Sequence, residues 1–267
     1  MRLGLAYNVF DGEELLIYSL NNLIPLVDFI CVVYQTTSNF GNKNPMLKER
    51  LERLKRMGLI DELHLYEPQI EYLENGELDI KNGRHNEFQK RNIGLEICRK
   101  NSCDTFMTID CDELYDETQF LWAKNEFETG GYDTSFAKMK TFYKYASLEV
   151  TPSEEYYVPM FYKIKKDTKF TYDFIPPYPC DIDPTRRVKA GYSRIFQREE
   201  VEMYHYSYVR NNLISKVNNT SAQNNKESRI KVCNHFDNFS SKKDGALFLN
   251  LKEFKLKEVK NKFNIIL

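Results

Sequence analysis

The sequence predicts an α/β protein, with a doubly wound, Rossmann-like sheet in the first half of the chain and a smaller mixed half behind it. Three observations carry this. Short apolar runs alternate with helix-period segments up to about residue 110. After about Gly130 the runs turn aromatic and closely spaced. One apolar run, Phe106 to Ile109, ends in a cluster of acidic residues, and open α/β sheets bind ligands at the C-terminal ends of their strands. The halves are placed at 1–130 and 131–267 and read as one continuous domain.

In chain order, Leu3 to Tyr7 reads as a buried first strand. Asp11 followed by Glu14 has the spacing of a capping box, which opens a helix running to about Leu23, near Pro25. Phe29 to Tyr34 is rich in β-formers and fits a central parallel strand. The polar stretch Thr36 to Asn44 is a loop at its C-terminal end. Pro45 opens a charged helix that runs to about Met57 and is closed by Gly58. Glu62 to Tyr66 is a third strand, Asn86 to Lys100 a helix, and Thr105 to Ile109 a fourth strand. Strand-like runs follow at Phe136 to Tyr145, Tyr156 to Ile164, Phe170 to Phe174, Tyr192 to Phe196 and Glu202 to Tyr208, and helices return afterwards. The tracts Asn218 to Ser228 and Asn238 to Gly245 read as loops, and Leu251 to Ile266 as a solvated amphipathic element that allows at most peripheral contact with a membrane.

Composition narrows the function. The 267 residues are long enough to bury a core without disulfides or structural metal. A net charge of −1 gives no electrostatic pull toward nucleic acid. The six cysteines form no C-x-x-C pair and no zinc spacing, and with no signal-like or membrane-length apolar stretch they suggest a reducing, cytoplasmic setting.

The segment Phe106-Met107-Thr108-Ile109-Asp110-Cys111-Asp112-Glu113 is the most informative. A buried strand delivers carboxylates to the sheet edge, where hard oxygen ligands suit Mn2+ or Mg2+ and such an ion can neutralise a departing diphosphate. The bland alternative is a solvated turn capping the helix that begins near Asp116. Asp112 reads as the better metal ligand, and Glu113 as a supporting group or a helix-start charge. His205 stands in an aromatic strand, where a lone histidine is commonly structural. Beside the acidic cluster it completes an Asp/His ligand set of Asp110, Asp112 and His205. Arg91 reads equally as a surface ion pair or a bidentate phosphate contact. Arg210 and Lys216 follow His205 as a basic pair that could close over a diphosphate, with Lys216 closer to ordinary surface charge. A general base for an acceptor hydroxyl is sought in Asp173, Asp181 and Asp183, which also read as turn residues beside prolines.

Arg91-Asn92-Ile93-Gly94-Leu95 ahead of Phe106 to Glu113 resembles the GT-A glycosyltransferases, in particular family 2-like bacterial and viral members. These show an Arg-Asn-x-Gly helix and then a strand ending in Asp-x-Asp-Glu. Tyr192-Ser193-Arg194-Ile195-Phe196 followed by His205-Tyr206 is similar to their Arg-aliphatic-Phe strand and later His. The resemblance spans Met1 to Lys216. It implies a nucleotide-diphosphate sugar donor, a glycan or glycoconjugate acceptor and an inverting transfer. Asp110 would meet the ribose or the metal, and Asp112 and His205 would hold the metal. Arg91 would lie near the diphosphate or sugar, Tyr7 and Asn8 would face the base, and Ser38 and Asn39 would line the next loop. The Glu-Asp base pair of many family 2 enzymes is missing, which leaves the base unassigned.

Two rival functions remain at this level. A sugar nucleotidyltransferase shares the sheet and a carboxylate-bound ion but needs a Gly-rich basic loop after the first strand, where this chain has Ala6 to Gly12 with one glycine and no basic residue. A non-catalytic carbohydrate-binding protein would not need Asp110, Asp112 and His205 together.

Overall fold

The computed structural model describes residues 1–72, 81–171, 182–189, 191–220 and 226–267, with the side chains of 81 and 82 left aside. The predicted class is what it shows: a mixed α/β protein on one large sheet of twelve described strands.

The parallel half is built from β1 (Leu3–Val9), β2 (Phe29–Tyr34), β3 (Glu62–Leu65) and β4 (Thr105–Ile109). They lie in the order β4, β1, β2, β3, all parallel. The chain moves outward from β1 to β3 and then returns to the other side of β1. The strand order therefore reverses between β1 and β4, and such a switch point leaves a crevice at the strand C-termini.

Helices cover both faces. α1 (Glu13–Leu23), α2 (Leu47–Arg56) and α4 (Glu117–Gly130) bury Leu16, Leu20, Leu47, Leu51, Phe120 and Phe127 on one face with Leu5, Tyr7 and Val9. α3 (Lys81–Lys100) buries Phe88, Leu95 and Cys98 on the other, against Ala6, Cys31 and Val33. The split follows from the period-two alternation of strand side chains. α3 sits close because Gly94 faces Ala6: a Cβ on Gly94 would come within 2.6 Å of the Ala6 Cβ.

β5 (Glu113–Tyr115), β6 (Thr134–Tyr143), β7 (Tyr145–Thr151), β8 (Tyr157–Lys163), β9 (Ser193–Ile195) and β10 (Glu202–Tyr208) form the mixed half. β8 joins the halves, antiparallel to β4 on one side and to β6 on the other. β10 runs parallel to β6 and antiparallel to β5, which sets His205 opposite Glu113. α5 (Leu213–Asn219) and α6 (Lys226–Asp237) pack Leu213, Val217, Val232 and Phe236 over β7, with β11 (Ala246–Leu247) and β12 (Glu253–Glu258) at the edge. Among the described residues no helix is long and apolar enough to cross a membrane. Cys31, Cys98, Cys103, Cys111 and Cys233 are free thiols.

Several local expectations change. The tract 218–228, read as a loop, gives its first residues to α5 and its last to α6. The first helix has no capping box: Gly12 is the N-cap at φ 79° with no side-chain cap, and Asp11 turns to Arg210 instead. Glu113 opens a buried strand and not a helix; the helix that follows is capped by Asp116, which accepts from the Gln119 N–H. The tail expected as a solvated amphipathic element supplies β12, where Phe254 and Leu256 are buried and the alternate residues exposed.

Candidate active site

The C-terminal ends of β1, β2 and β4 meet at a cavity of about 170 Å³. Asn8 and Asp11 come from β1 and its loop, Gln35, Ser38 and Asn39 from the loop after β2, and Asp110 to Asp112 from the end of β4. α3 contributes Glu87, Lys90 and Arg91, while His205, Arg210 and Lys216 come from β10 and the segment after it. A second cavity of about 640 Å³ shares Phe10, Asp11, Arg210 and Asn219 with the first. It falls in the usual size range of ligand clefts, roughly 300–1,000 Å³.

Asp112 is the electrostatic centre, a buried carboxylate only 2% exposed. Its Oδ2 accepts from Arg210 Nη2 at 2.7 Å and from Lys216 Nζ at 3.0 Å. Burial works to raise its pKa, but Lys216, Arg210 and His205 hold it well below the usual carboxylate range. Arg210 also reaches Asp11 at 3.5 Å and so ties the first loop to the acidic strand end. Lys216, read from sequence as surface charge, instead closes the cavity from α5.

Asp112 Oδ1 faces His205 Nε2 across 3.9 Å, beyond hydrogen bonding. Burial lowers the His205 pKa to about 4 against the pull of Asp112, so the ring is neutral at neutral pH. Two metal–ligand bonds of about 2.1 Å each can span that separation, and a neutral imidazole beside a carboxylate is a donor pair that a divalent ion accepts. Among the described residues, no group of three or more His, Cys, Asp or Glu side chains is gathered to hold a metal. Asp110 is turned to Arg186, whose Nη2 donates to its Oδ2 at 2.8 Å. Burial opposes ionisation of Asp110, but Arg186 and then Arg91 lower its pKa.

Arg186 is the principal residue that sequence reasoning missed. It is buried and also donates to Glu113, from Nη2 to Oε1 at 2.5 Å and from Nη1 to Oε2 at 3.1 Å. Burial pushes Glu113 up to about 7 against the pull of Arg186. The local signal was Asp183-Pro184-Thr185-Arg186: Asp183 caps a 3-10 turn by accepting from Thr185, and the turn aims Arg186 inward. Glu87, Lys90 and Gln35 were missed as well. Glu87 bonds Lys90 at 2.8 Å and approaches Arg91 at 3.9 Å, the i+3 and i+4 spacing that shares one helix face.

Of the other expected residues, Asn8, Ser38, Asn39, Arg91 and Asp183 line the cavity. Arg91 is buried and donates to Thr108 Oγ1 at 2.8 Å, and its Nη2 lies 3.8 Å from Asp110 and 3.9 Å from Asp183. It is no surface ion pair: it braces β4 from within while still lining the cavity. Ser38 Oγ accepts from the Phe40 and Asn42 N–H groups and shapes the loop. Tyr7 is a correction: it is fully buried on the opposite face of β1, its hydroxyl 2.8 Å from Ser19 Oγ, because strand alternation sends Asn8 to the cavity and Tyr7 away from it. Asp173 and Asp181, with the rest of the expected strand beyond 171, lie outside the described residues.

No protein-family model matches this chain, and no curated protein matches it. Among solved structures it is similar to S. aureus TarS: to one TarS structure at 12% identity and a TM-score of 0.47, covering 78% of this chain and 61% of that one. A TarS complex with UDP-GlcNAc matches at 13% identity and a TM-score of 0.37, covering 53% and 35%. A mannose-1-phosphate geranyltransferase from Thermus thermophilus matches at 12% identity and a TM-score of 0.31, covering 62% and 51%. In each case the chain spans less than two thirds of the other's length.

Proposed function

We propose that this protein is a glycosyltransferase that moves a sugar from a nucleoside-diphosphate donor to a hydroxyl of a glycan or glycoconjugate. The observation that carries this is Asp112: an ionised, buried carboxylate at the β1/β4 switch point, beside a neutral His205 and under two long cationic side chains. The sequence resemblance from Arg91 to Glu113 and on to His205 supports the same reading.

In this reading Arg210 and Lys216 face the diphosphate, and their charge favours the leaving group as its negative charge grows. Mn2+ or Mg2+ would be held by Asp112 and His205, with Asp110 alongside, and when bound would supply further positive charge there. Asn8 and Asn39 face the nucleoside. Asp183 lines the cleft as a described carboxylate able to accept the acceptor's proton, and a base opposite the leaving group would give inversion.

The test is to incubate the protein with a panel of nucleotide sugars, with Mn2+, with Mg2+ and with chelator, and to measure nucleoside diphosphate release with oligosaccharide acceptors. Thermal stabilisation by the free diphosphates runs in parallel. Release from one donor class with matching stabilisation supports the reading. No stabilisation by any nucleotide, with or without metal, rejects it.

A further inference from the structure

Six buried hydrogen-bonding atoms of residues lining the cavity bond nothing among the described residues: Asn8 Oδ1, Asn8 Nδ2, Asp11 Oδ2, Gln35 Oε1, Arg91 Nε and His205 Nδ1; the three amide atoms belong to Asn8 and Gln35. Asn8 is 8% exposed and Gln35 1%, and both line the cavity. Native folds rarely leave such atoms unsatisfied, and several in one cleft point to a ligand that completes them.

Their placement is fixed by the sheet. Asn8 pairs with Val33, and Gln35 lies two residues further along, its N–H bonded to the Val9 carbonyl. Residues two apart share a face, so Asn8 and Gln35 lie diagonally across β1 and β2 on the α3 face. The polarity of Gln35 is also fixed. Asn39 Nδ2 meets only acceptors, the Gly83 carbonyl at 3.5 Å and Glu87 Oε1 at 3.3 Å. Asn39 must therefore turn Oδ1 to Gln35, which donates Nε2 to it at 3.1 Å and is left with Oε1 as an acceptor. Asn8 is unconstrained and offers one donor beside one acceptor.

The open amide groups are thus the Asn8 amino group and two acceptors, Asn8 Oδ1 and Gln35 Oε1. We propose that Asn8 and Gln35 read a guanine-type base on the donor nucleotide, an inference that rests on the nucleotide-sugar reading above. The guanine edge runs carbonyl O6, N1–H, N2–H₂: O6 accepts from Asn8 Nδ2, N1–H donates to Asn8 Oδ1, and the amino group donates to Gln35 Oε1. Uracil, cytosine and adenine each satisfy two of the three. Uracil paired through its imide edge turns its O2 carbonyl against the Gln35 acceptor, and adenine presents a C–H at one position. Ribose hydroxyls rotate to suit any pattern and would not discriminate among bases.

The experiment is calorimetry on the full chain with guanosine, inosine, uridine, cytidine and adenosine diphosphates, with and without Mn2+. Guanosine diphosphate is expected to bind about tenfold or more tightly than the others. Inosine diphosphate, which lacks only the amino group, should lose about tenfold because the Gln35 acceptor is again unpaired. Gln35→Ala should erase the guanosine–inosine difference; the comparison on the unaltered chain decides the matter even where that variant misfolds. Equal binding of guanosine and inosine diphosphates, or tighter binding of the uridine form, overturns this inference and leaves the nucleotide-sugar reading standing. Failure of all five to bind overturns both.

Discussion

Arg186 and Glu113 form a buried two-bond pair, joined at 2.5 and 3.1 Å, from which the same guanidinium reaches Asp110. The pair links the loop carrying Asp183 to the strand end carrying the acidic cluster. Removing Arg186 takes the shared cation from Glu113 and Asp110, at a cost of up to roughly 3–5 kcal/mol. Arg186→Met is therefore expected to lower the urea midpoint strongly, and Arg186→Met with Glu113→Gln to recover a good part of the loss. Equal stability of the single and double variants would dissolve the proposed coupling.

Asp112 bears the functional argument. Asp112→Asn keeps the shape and removes the charge that Arg210, Lys216 and His205 surround. Loss of a group that positions charge at a reacting centre commonly costs about 10²–10³ in rate. A fall of that order in donor turnover is expected, together with lost sensitivity of diphosphate binding to Mn2+. Turnover like that of the unaltered protein would remove Asp112 from the site.

His205 gives a pH signature. Its folded pKa of about 4 lies below the unfolded value of 6.5, so between those values the unfolded chain binds the extra proton. Stability is therefore lost as pH falls from 6.5 toward 4, by roughly 3 kcal/mol at the lower end. His205→Asn should fall less over that window, as read by denaturation at pH 7, 5.5 and 4. Glu113 works in the opposite direction, since a raised folded pKa makes stability fall as pH rises from 4.5 toward 7. The difference between the two proteins isolates His205. Identical pH dependence would show that the ring is not held neutral by burial.

The sheet and the edge that carries the cavity were legible because they rest on short-range pattern: buried runs at Leu3, Phe29 and Thr105, and carboxylates directly after Ile109. Arg186 was not legible, because its partners Asp110 and Glu113 are more than seventy positions away and only the folded chain brings them together. Gln35 was hidden for a related reason: its importance lies in an atom left unbonded once Asn39 and Glu87 have been satisfied. Tyr7 was misread because its neighbour Asn8 lines the cavity, and one step along a strand reverses the face.

The correction at Tyr7 can be checked. Ser19 donates to the Glu113 carbonyl at 2.8 Å, so the Tyr7 hydroxyl donates to Ser19. Tyr7→Phe should cost about 1 kcal/mol of stability by deleting that bond while leaving the donor KM unchanged. A raised KM with normal stability would return Tyr7 to the binding site.

Gly94 sets two opposing effects against each other. Alanine is preferred over glycine inside a helix by about 1 kcal/mol, and on that ground alone Gly94→Ala would stabilise α3. The new methyl, however, would stand 2.6 Å from the Ala6 Cβ, closer than two carbons can approach. Neither group can swing aside, because one belongs to a central strand and the other to a packed helix. Overpacking of this kind costs roughly 1–3 kcal/mol, and α3 can relieve it only by lifting from the sheet. Arg91 lies three residues away on that helix, braced on Thr108 at 2.8 Å, so lifting also loosens the wall of the cavity. Gly94→Ala should therefore be less stable than the unaltered protein and bind the donor diphosphate more weakly. Gly94→Ala with Ala6→Gly, which removes the opposing methyl, should restore both. A single variant more stable than the parent would show that helix propensity outweighs the close approach, and that α3 is not held against β1 at this point.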